Sequence, residues 1–208
     1  MLLVTPLHKY FLNSIFVKTH LSLQQAGKNS SKFGLITVFA TLCFYIAIGG
    51  IWTFMANLSS FYQINTDFTN LVLASSTLLG ILGSLLTSII GTKFKRNYLI
   101  IIGFIFFAIS LFLLLNHVTD TTFAISVLIF KFSWMFTVPY ILATVASFDY
   151  TGKFINSVNL AIGGGLALGP FIAGFIIENT LNYDALITYT ALIFLFSFVL
   201  IFGANLKK

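Results

Sequence analysis

A single lysine lies deep inside one of the long apolar stretches of this 208-residue sequence. Lys131 follows the start of the stretch 122–148 by about ten residues, and a lysine at the centre of a bilayer costs about 2.5–3.5 kcal/mol on insertion scales. We expect such a cation to bind an anionic group, because the apolar stretches hold no carboxylate that could pair with it. Snorkelling of the long side chain to the membrane surface is the alternative.

Aromatic and small residues are candidates for the same binding site. Trp134 is three residues after Lys131 and shares its helix face, where it lines a solute cavity or, alternatively, packs against a helix or lipid. Two stripes along the stretch 35–58 are further candidates for a cavity wall: Tyr45, Gly49 and Trp52 form one, and Gly50 and Asn57 form the other. The sequence leaves open which stripe faces a cavity, and helix packing is the alternative for both.

The residue patterns of membrane enzymes are missing from the sequence. No His-Glu-x-x-His zinc motif is present, and no serine nucleophile is accompanied by a histidine inside an apolar stretch. Cys43 is the only cysteine, so the chain has neither a disulfide framework nor a metal site built on thiolates. We therefore expect no enzymatic activity, no cofactor and no metal.

The composition is that of a membrane protein. The sequence is 58% hydrophobic and only 8% charged, whereas about a quarter of the residues of a soluble domain are charged. A net charge of +6 would suggest a nucleic-acid partner in a soluble protein. Here the excess lies at the ends of apolar stretches, where anionic lipid head groups explain it. We expect the lipid bilayer, and no nucleic acid, as a partner.

Ten of the eleven basic residues lie in every second gap between the apolar stretches. They are Lys9, Lys18, Lys28, Lys32, Lys93, Lys95, Arg96, Lys153, Lys207 and Lys208. The other gaps hold Asp67, Asp120, Glu178 and Asp184. Because cytoplasmic loops concentrate Lys and Arg, this alternation predicts both termini in the cytoplasm, with a bacterial inner membrane as the expected location.

Six apolar stretches are each long enough to cross a hydrocarbon core of about 30 Å, which takes about 20 helical residues. They are 35–58, 69–91, 98–115, 122–148, 154–177 and 185–205. The short links between them favour antiparallel neighbours in one bundle. We predict an all-α integral membrane protein, with a six-helix transmembrane domain at 34–208 and a basic cytoplasmic arm at 1–33.

The loop after the second stretch carries a small residue, a glycine seven positions later and then a basic cluster. Its residues are Ser84, Ser88, Gly91, Lys93, Lys95 and Arg96. The loop resembles the motif Gly-x-x-x-Asp-x-x-Gly-x-Arg-Lys of the major facilitator superfamily of membrane transporters. Ser84 replaces the first Gly and Ser88 replaces the Asp, so the acidic member of the motif is missing, as is commoner in the second half of such transporters.

The fourth and fifth stretches resemble the same family. The run Gly163-Gly-Gly165-Leu-Ala-Leu-Gly169-Pro170-Phe-Ile-Ala173-Gly174 is similar to the family pattern Gly-x-x-x-Gly-Pro-x-x-Gly-Gly. Small residues at this spacing let helix backbones touch, and Pro170 loosens the helix, which predicts a pliable packing seam. The fourth stretch and the turn after it look like the family's tenth helix and following loop, through Trp134, Pro139, Tyr140, Asp149 and Lys153. Asp149 and Lys153 are four apart and can pair.

The resemblance covers Leu35 to the C-terminus and implies one half of a transporter. Family members have twelve helices in two six-helix halves, and the substrate site lies between the halves near the membrane midplane. The first and fourth helices of each half line that cavity, which implies that Lys131, Trp134, Tyr140 and one of the two stripes lie beside it.

Several consequences of the resemblance remain expectations. The basic arm looks like the linker that precedes the second half, so a first six-helix half or a second copy is the expected partner. The implied function is secondary active transport of a small organic solute or drug by alternating access. The alternative is a six-helix scaffold or assembly subunit that transports nothing.

Overall fold

The computed structural model describes residues 31–91, 93–115 and 118–207, and the regular structure in these ranges is entirely helical. The helices are α1 (Ser31–Thr53), α2 (Met55–Phe61), α3 (Thr66–Ile90), α4 (Arg96–Leu113), α5 (Asp120–Ala146), α6 (Lys153–Thr180) and α7 (Tyr183–Leu206). All except the short α2 are long and apolar enough to span a membrane. The prediction of an all-α bundle with six spanning helices is confirmed, whereas nearly all of the predicted arm 1–33 lies outside the described residues.

Polar caps set the start of three helices at the acidic end of the bundle. The side chain of Asn65 accepts hydrogen bonds from two backbone N–H groups of α3, and that of Asn182 accepts one from α7. Thr119 and Thr122 form a capping box at the start of α5. A carboxylate in each first turn faces the positive end of the helix dipole; these residues are Asp67, Asp120 and Asp184.

The predicted stretch 35–58 is not one helix in the structure. Phe54 leaves the helical conformation, with φ −98° and ψ 10°, and separates α1 from α2. The interruption lets α2 bury Met55, Leu58 and Ser59, and the Thr69 hydroxyl of α3 donates a hydrogen bond of 3.0 Å to Ser59. No glycine or proline lies between 51 and 61, so no local sequence signal marks this break.

Phenylalanine rings from four helices form the centre of the core. Phe107 of α4 stacks on Phe194 of α7 with 4.5 Å between ring centres. Further rings from α1, α4 and α5 pack around this pair, namely Phe44, Phe104 and Phe130. The core therefore joins α1, α4, α5 and α7 into one unit.

Hydroxyl groups add hydrogen bonds between helices. Ser110 of α4 and Ser126 of α5 each donate to the other's backbone carbonyl, at 3.0 and 2.8 Å. Ser197 of α7 donates to the carbonyl of Ala40 in α1 at 2.8 Å. Such bonds are favourable inside a membrane because no water competes for the groups.

Two helices expose much of their apolar surface. α3 and α6 are the least buried of the six spanning helices. Large exposed side chains on them include Leu71, Leu78, Leu82 and Ile89 of α3 and Leu160, Phe171 and Phe175 of α6. Lipid or another polypeptide must cover this surface in the membrane.

Candidate functional site

Lys131 lies near the middle of α5 between the only two indole rings of the sequence. Its Nζ atom is 4.3 Å from the ring centre of Trp52 on α1 and 4.4 Å from that of Trp134 on α5. The two indoles meet edge to face at 6.1 Å, and Trp52 also stacks on Phe130 at 6.0 Å. Lys131, Trp52, Trp134 and Phe130 are here called the Lys131 cluster, in which the two indole rings flank the ammonium group.

Helix α3 makes room for the stem of the lysine. A Cβ atom on Gly80 would lie 3.2 Å from Cγ of Lys131 and 3.1 Å from Cγ of Met135. One turn further on, a Cβ atom on Gly83 would lie 2.7 Å from the carbonyl oxygen of Phe132. The two glycines therefore allow α3 and α5 to approach closely, and the lysine passes over α3 toward Trp52.

The two indole rings offset the cost of placing Lys131 in the membrane. The residue lies about 16 Å along α5 from Asp120, a depth at which a lysine costs about 2.5–3.5 kcal/mol. A cation over an indole face gains about 0.5–2 kcal/mol, with the larger value for desolvated pairs. Two rings thus supply a gain of the same order as the cost, and the side chain stays half-buried.

Tyr45 extends the cluster along α1. Its side chain is 7% exposed, and its hydroxyl lies close to the Trp134 side chain. The structure therefore brings together four sequence-predicted site residues from two helices: Tyr45, Trp52, Lys131 and Trp134. A cation, two indoles and a phenol can bind an anionic group and the flat apolar body that carries it.

Tyr140 lies apart from this cluster, two to three turns further along α5. Its ring packs on Phe136 at 5.4 Å, and its buried hydroxyl has no hydrogen-bond partner among the described residues. A cavity of about 340 Å³ lies beside it, lined also by Thr87, Pro139 and Arg96. Tyr140 thus belongs to the basic end of the bundle rather than to the surroundings of Lys131.

The sequence model of the Major Facilitator Superfamily matches residues 37–207, which include all six spanning helices except the start of α1. The chain belongs to this superfamily. No curated protein matches the sequence. Superfamily members are membrane transporters rather than enzymes, and the six helices correspond to half of the twelve-helix facilitator fold.

In this facilitator chain the loop after α3 forms a tight turn. Gly91 ends α3 with φ +50°, a conformation that favours glycine, and its N–H donates to the Thr87 carbonyl at 2.8 Å. Lys93 and Lys95 are exposed, whereas Arg96 begins α4 and is half-buried. The predicted basic cluster is therefore divided, with two lysines on the exposed surface and one arginine partly covered by neighbouring residues.

The predicted glycine seam of the facilitator chain joins α6 to α1. A Cβ atom on Gly169 would lie 2.5 Å from the Ile46 carbonyl oxygen, and one on Gly165 would lie 2.6 Å from Cβ of Tyr45. From the α1 side, Gly49 and Gly50 face the backbone of α6 at 3.1 and 3.2 Å. The space beside these α1 glycines is filled by α6, so the two residues pack rather than line the Lys131 cluster.

The remaining residues that the sequence singled out lie beside the α1–α6 seam or away from it. Gly174 has looser contacts, with Phe54 3.6 Å from a Cβ atom built on it. Pro170 and Pro139 lie inside α6 and α5, which continue on both sides of them. Asn57 lies on α2, beyond the break at Phe54, and is exposed.

Asp149 caps α6 from the turn before it. Its carboxylate accepts the N–H of Ile155 at 2.8 Å and that of Thr151 at 3.1 Å. Desolvation raises the pKa of this carboxyl, but the backbone N–H donors at the start of α6 outweigh it and hold the pKa below the usual aspartate value. Lys153 is exposed in the first turn of α6, and its pairing with Asp149 stays a prediction.

Sequence reasoning missed three parts of the site. Gly80 and Gly83 leave space for the side chain of Lys131 and for the backbone of α5. Two small residues three positions apart in the second stretch were the only sequence pattern that could have indicated this contact. Phe130 supports Trp52, but nothing distinguishes it from the other 24 phenylalanines of the sequence. The contact between Trp52 and Lys131 joins distant parts of the chain, so no local pattern could indicate it.

Proposed function

We propose that the chain is the second six-helix half of a secondary active transporter that moves a small organic solute across the membrane by alternating access. The Lys131 cluster is the observation that supports this most. It holds a cation near mid-membrane depth, although every carboxylate of the sequence lies at a helix end or in a turn. An intramembrane cation with no carboxylate of its own is best explained by an anionic ligand.

We infer that the solute combines an anionic group with a flat apolar body. The anionic group would approach the Nζ of Lys131 and the apolar body would lie against Trp52 and Trp134. The hydroxyl of Tyr45 supplies a polar partner beside them. Because α1 and α5 are the first and fourth spanning helices, the cluster lies on the pair of helices that line the cavity in this family.

We further propose that a first six-helix half, on a separate chain or in a longer product, covers the exposed surface of α3 and α6. A second copy of this chain is the other candidate. The missing aspartate at Ser88 supports assignment as the second half. Clustering of the described loop cations at one end of the bundle supports a cytoplasmic location for both termini, in a bacterial inner membrane.

Flux through proteoliposomes tests the function. The chain is reconstituted with a first half, and uptake of radiolabelled benzoate is compared with that of benzylamine, an aromatic cation of similar size. We expect faster uptake of the anion, at least about tenfold slower uptake with Lys131→Ala, and partial retention with Lys131→Arg. Lys153→Ala, which removes an exposed cation, is the matched control.

The same experiment separates the transporter from a six-helix scaffold. Full uptake by both Lys131 variants would remove the lysine from the site. Stable assembly with the first half but no flux of either probe down its gradient would favour the scaffold or assembly subunit.

A further inference from the structure

A crevice runs along the outside of the bundle between α4 and α7. Its inner part is a cavity of about 290 Å³ lined only by apolar side chains. Phe104, Ala108 and Leu111 of α4 face Ala191, Leu195 and Phe198 of α7 across it. Leu195 is 58% exposed and nearby Ile105 is 52% exposed, so the cavity opens toward lipid.

A second cavity continues this crevice toward the basic end of the bundle. Its volume is about 490 Å³, and Ile101 lines both cavities. Lys95, Arg96 and Asn97 form one side of it and Phe202 and Leu206 form the other. Among the residues that the structure describes, none that lines this part of the crevice is acidic, and Lys207 directly follows Leu206.

The length of the crevice matches one leaflet of a bilayer. From Ile101 to Leu111, α4 rises by about 15 Å, which is half of a hydrocarbon core of about 30 Å. The cations lie at the membrane-surface end of this distance and the apolar walls cover the rest. A free anion would use only the basic part, whereas a spanning helix would need a surface of twice this length.

We propose that this crevice binds one anionic glycerophospholipid. The phosphate lies at Lys95 and Arg96, and one acyl chain lies in the apolar cavity between α4 and α7. The basic surface complements the charge of the head group, and basic pockets between spanning helices are sites of this kind. The lipid would fasten α4 to α7 on the outer side of the aromatic core, where Phe107 lines the cavity and packs on Phe130 of the Lys131 cluster.

Native mass spectrometry of the purified full chain tests the head-group contact. Mixed micelles supply phosphatidylglycerol and phosphatidylcholine with the same acyl chains. We expect one retained phosphatidylglycerol, and about 25-fold lower retention in Lys95→Gln/Arg96→Gln, since each of the two removed cations contributes about fivefold near an anionic surface. Lys93→Gln/Lys153→Gln removes two exposed cations outside the crevice and should retain the lipid.

A filled groove tests the acyl-chain contact. Ala191→Trp places an indole in the apolar cavity and should release phosphatidylglycerol, whereas Leu192→Trp, at the next and exposed position of α7, should not. Equal retention of the two lipids by the unmodified chain would overturn the proposal. Retention by Ala191→Trp, or equally tight binding of glycerol phosphate alone, would overturn it as well.

Photo-crosslinking of the unmodified chain gives a result that does not depend on how the variants fold. Phosphatidylglycerol with a diazirine in its acyl chain is added to the protein, and the labelled peptides are mapped by mass spectrometry. Adducts concentrated between Ile101 and Leu111 of α4 and between Ala191 and Phe198 of α7 would support the site. Adducts spread equally over the exposed faces of α3 and α6 would contradict it.

Discussion

Lys131 and both tryptophans of the chain form a single cluster, so tryptophan fluorescence reports on this site alone. We predict that Lys131→Met shifts the tryptophan emission maximum, because the ammonium group no longer lies over the two indole faces. Lys131→Arg should keep emission close to that of the unmodified protein, since a guanidinium group also binds aromatic faces. Emission spectra of the purified protein in detergent provide the measurement.

The matched control for this prediction is Lys153→Met, which removes an exposed cation at the start of α6. Its emission should equal that of the unmodified protein. An unchanged spectrum in Lys131→Met would show that the ammonium group does not contact the indoles in solution.

Asp149 makes the free energy of unfolding depend on pH in the acid range. The pKa of Asp149 is lower in the folded protein than the usual aspartate pKa. The stabilisation that the ionised carboxylate provides is therefore fully present at pH values above the usual aspartate pKa. That contribution is lost as the pH falls through the folded-state pKa. We predict that Asp149→Asn lowers the melting temperature near neutral pH, and that the difference from the unmodified protein disappears at strongly acid pH.

Thermal unfolding in detergent over a pH series measures this effect. Glu178→Gln neutralises a carboxylate near the opposite end of α6, where the helix dipole disfavours negative charge, so it should not lower the melting temperature. An Asp149→Asn difference that persists unchanged into strong acid would rule out the proposed capping role of the charge.

At the level of helices, the contact between α1 and α6 depends on the absence of a few methyl groups. We predict that Gly169→Ala destabilises the protein by about 1–3 kcal/mol, because the new Cβ atom meets the backbone of Ile46 and Gly50. Gly163→Ala on the same helix, where a new Cβ atom would meet no other helix of the described residues within 4 Å, should be neutral or stabilising by up to about 1 kcal/mol. Unfolding in increasing SDS measures both, and equal effects would mean that the seam is not tight.

The serine pair between α4 and α5 provides a second measurement on helix association. Ser110→Ala and Ser126→Ala should each destabilise the bundle, and together less than the sum of the two. We expect a coupling energy of about 0.6 kcal/mol, with about 1.7 kcal/mol as an upper bound for such bonds in membranes. A double-mutant cycle in SDS unfolding provides the value, and strict additivity would show that the two hydroxyl groups do not cooperate.

The helical elements were predictable because the bilayer imposes their length and polarity. Apolar runs of about 20 residues and the basic and acidic gaps between them are local features, so the sequence alone indicates six spans. The break at Phe54 was not predictable, since no glycine or proline lies at it. Likewise, the side of α1 that faces Lys131 depends on how α6 covers Gly49 and Gly50.

For the whole molecule, the exposed surface of α3 and α6 predicts an association. In a Cys43→Ala background, Leu82→Cys on α3 and Phe171→Cys on α6 should form crosslinks to a first half or to a second copy. Leu192→Cys, exposed on α7, is the control and should react far less. Crosslinking yields are measured on SDS gels. Equal yields at all three positions would indicate random collision rather than a specific contact.

The overall family assignment was also accessible from the sequence, although each motif alone is weak. The loop after α3, the proline in α5 and the glycine seam in α6 occur in the family's order, and the superfamily match over residues 37–207 confirms the assignment. The Lys131 cluster was only partly accessible. Trp134 shares a helix with the lysine, but Trp52 joins it only through the packing of α1 on α5.

The depth of Lys131 has an electrical consequence. A charge that crosses a whole membrane gains or loses about 2.3 kcal/mol per 100 mV. Lys131 lies about 16 Å from the start of α5, a helix of 27 residues that is about 40 Å long and crosses a hydrocarbon core of about 30 Å, so it lies near the midpoint of that voltage drop. A monovalent anion that reaches Lys131 from either side therefore exchanges about 1 kcal/mol with the field per 100 mV, and its occupancy of the site becomes voltage-dependent by a factor of about five to seven.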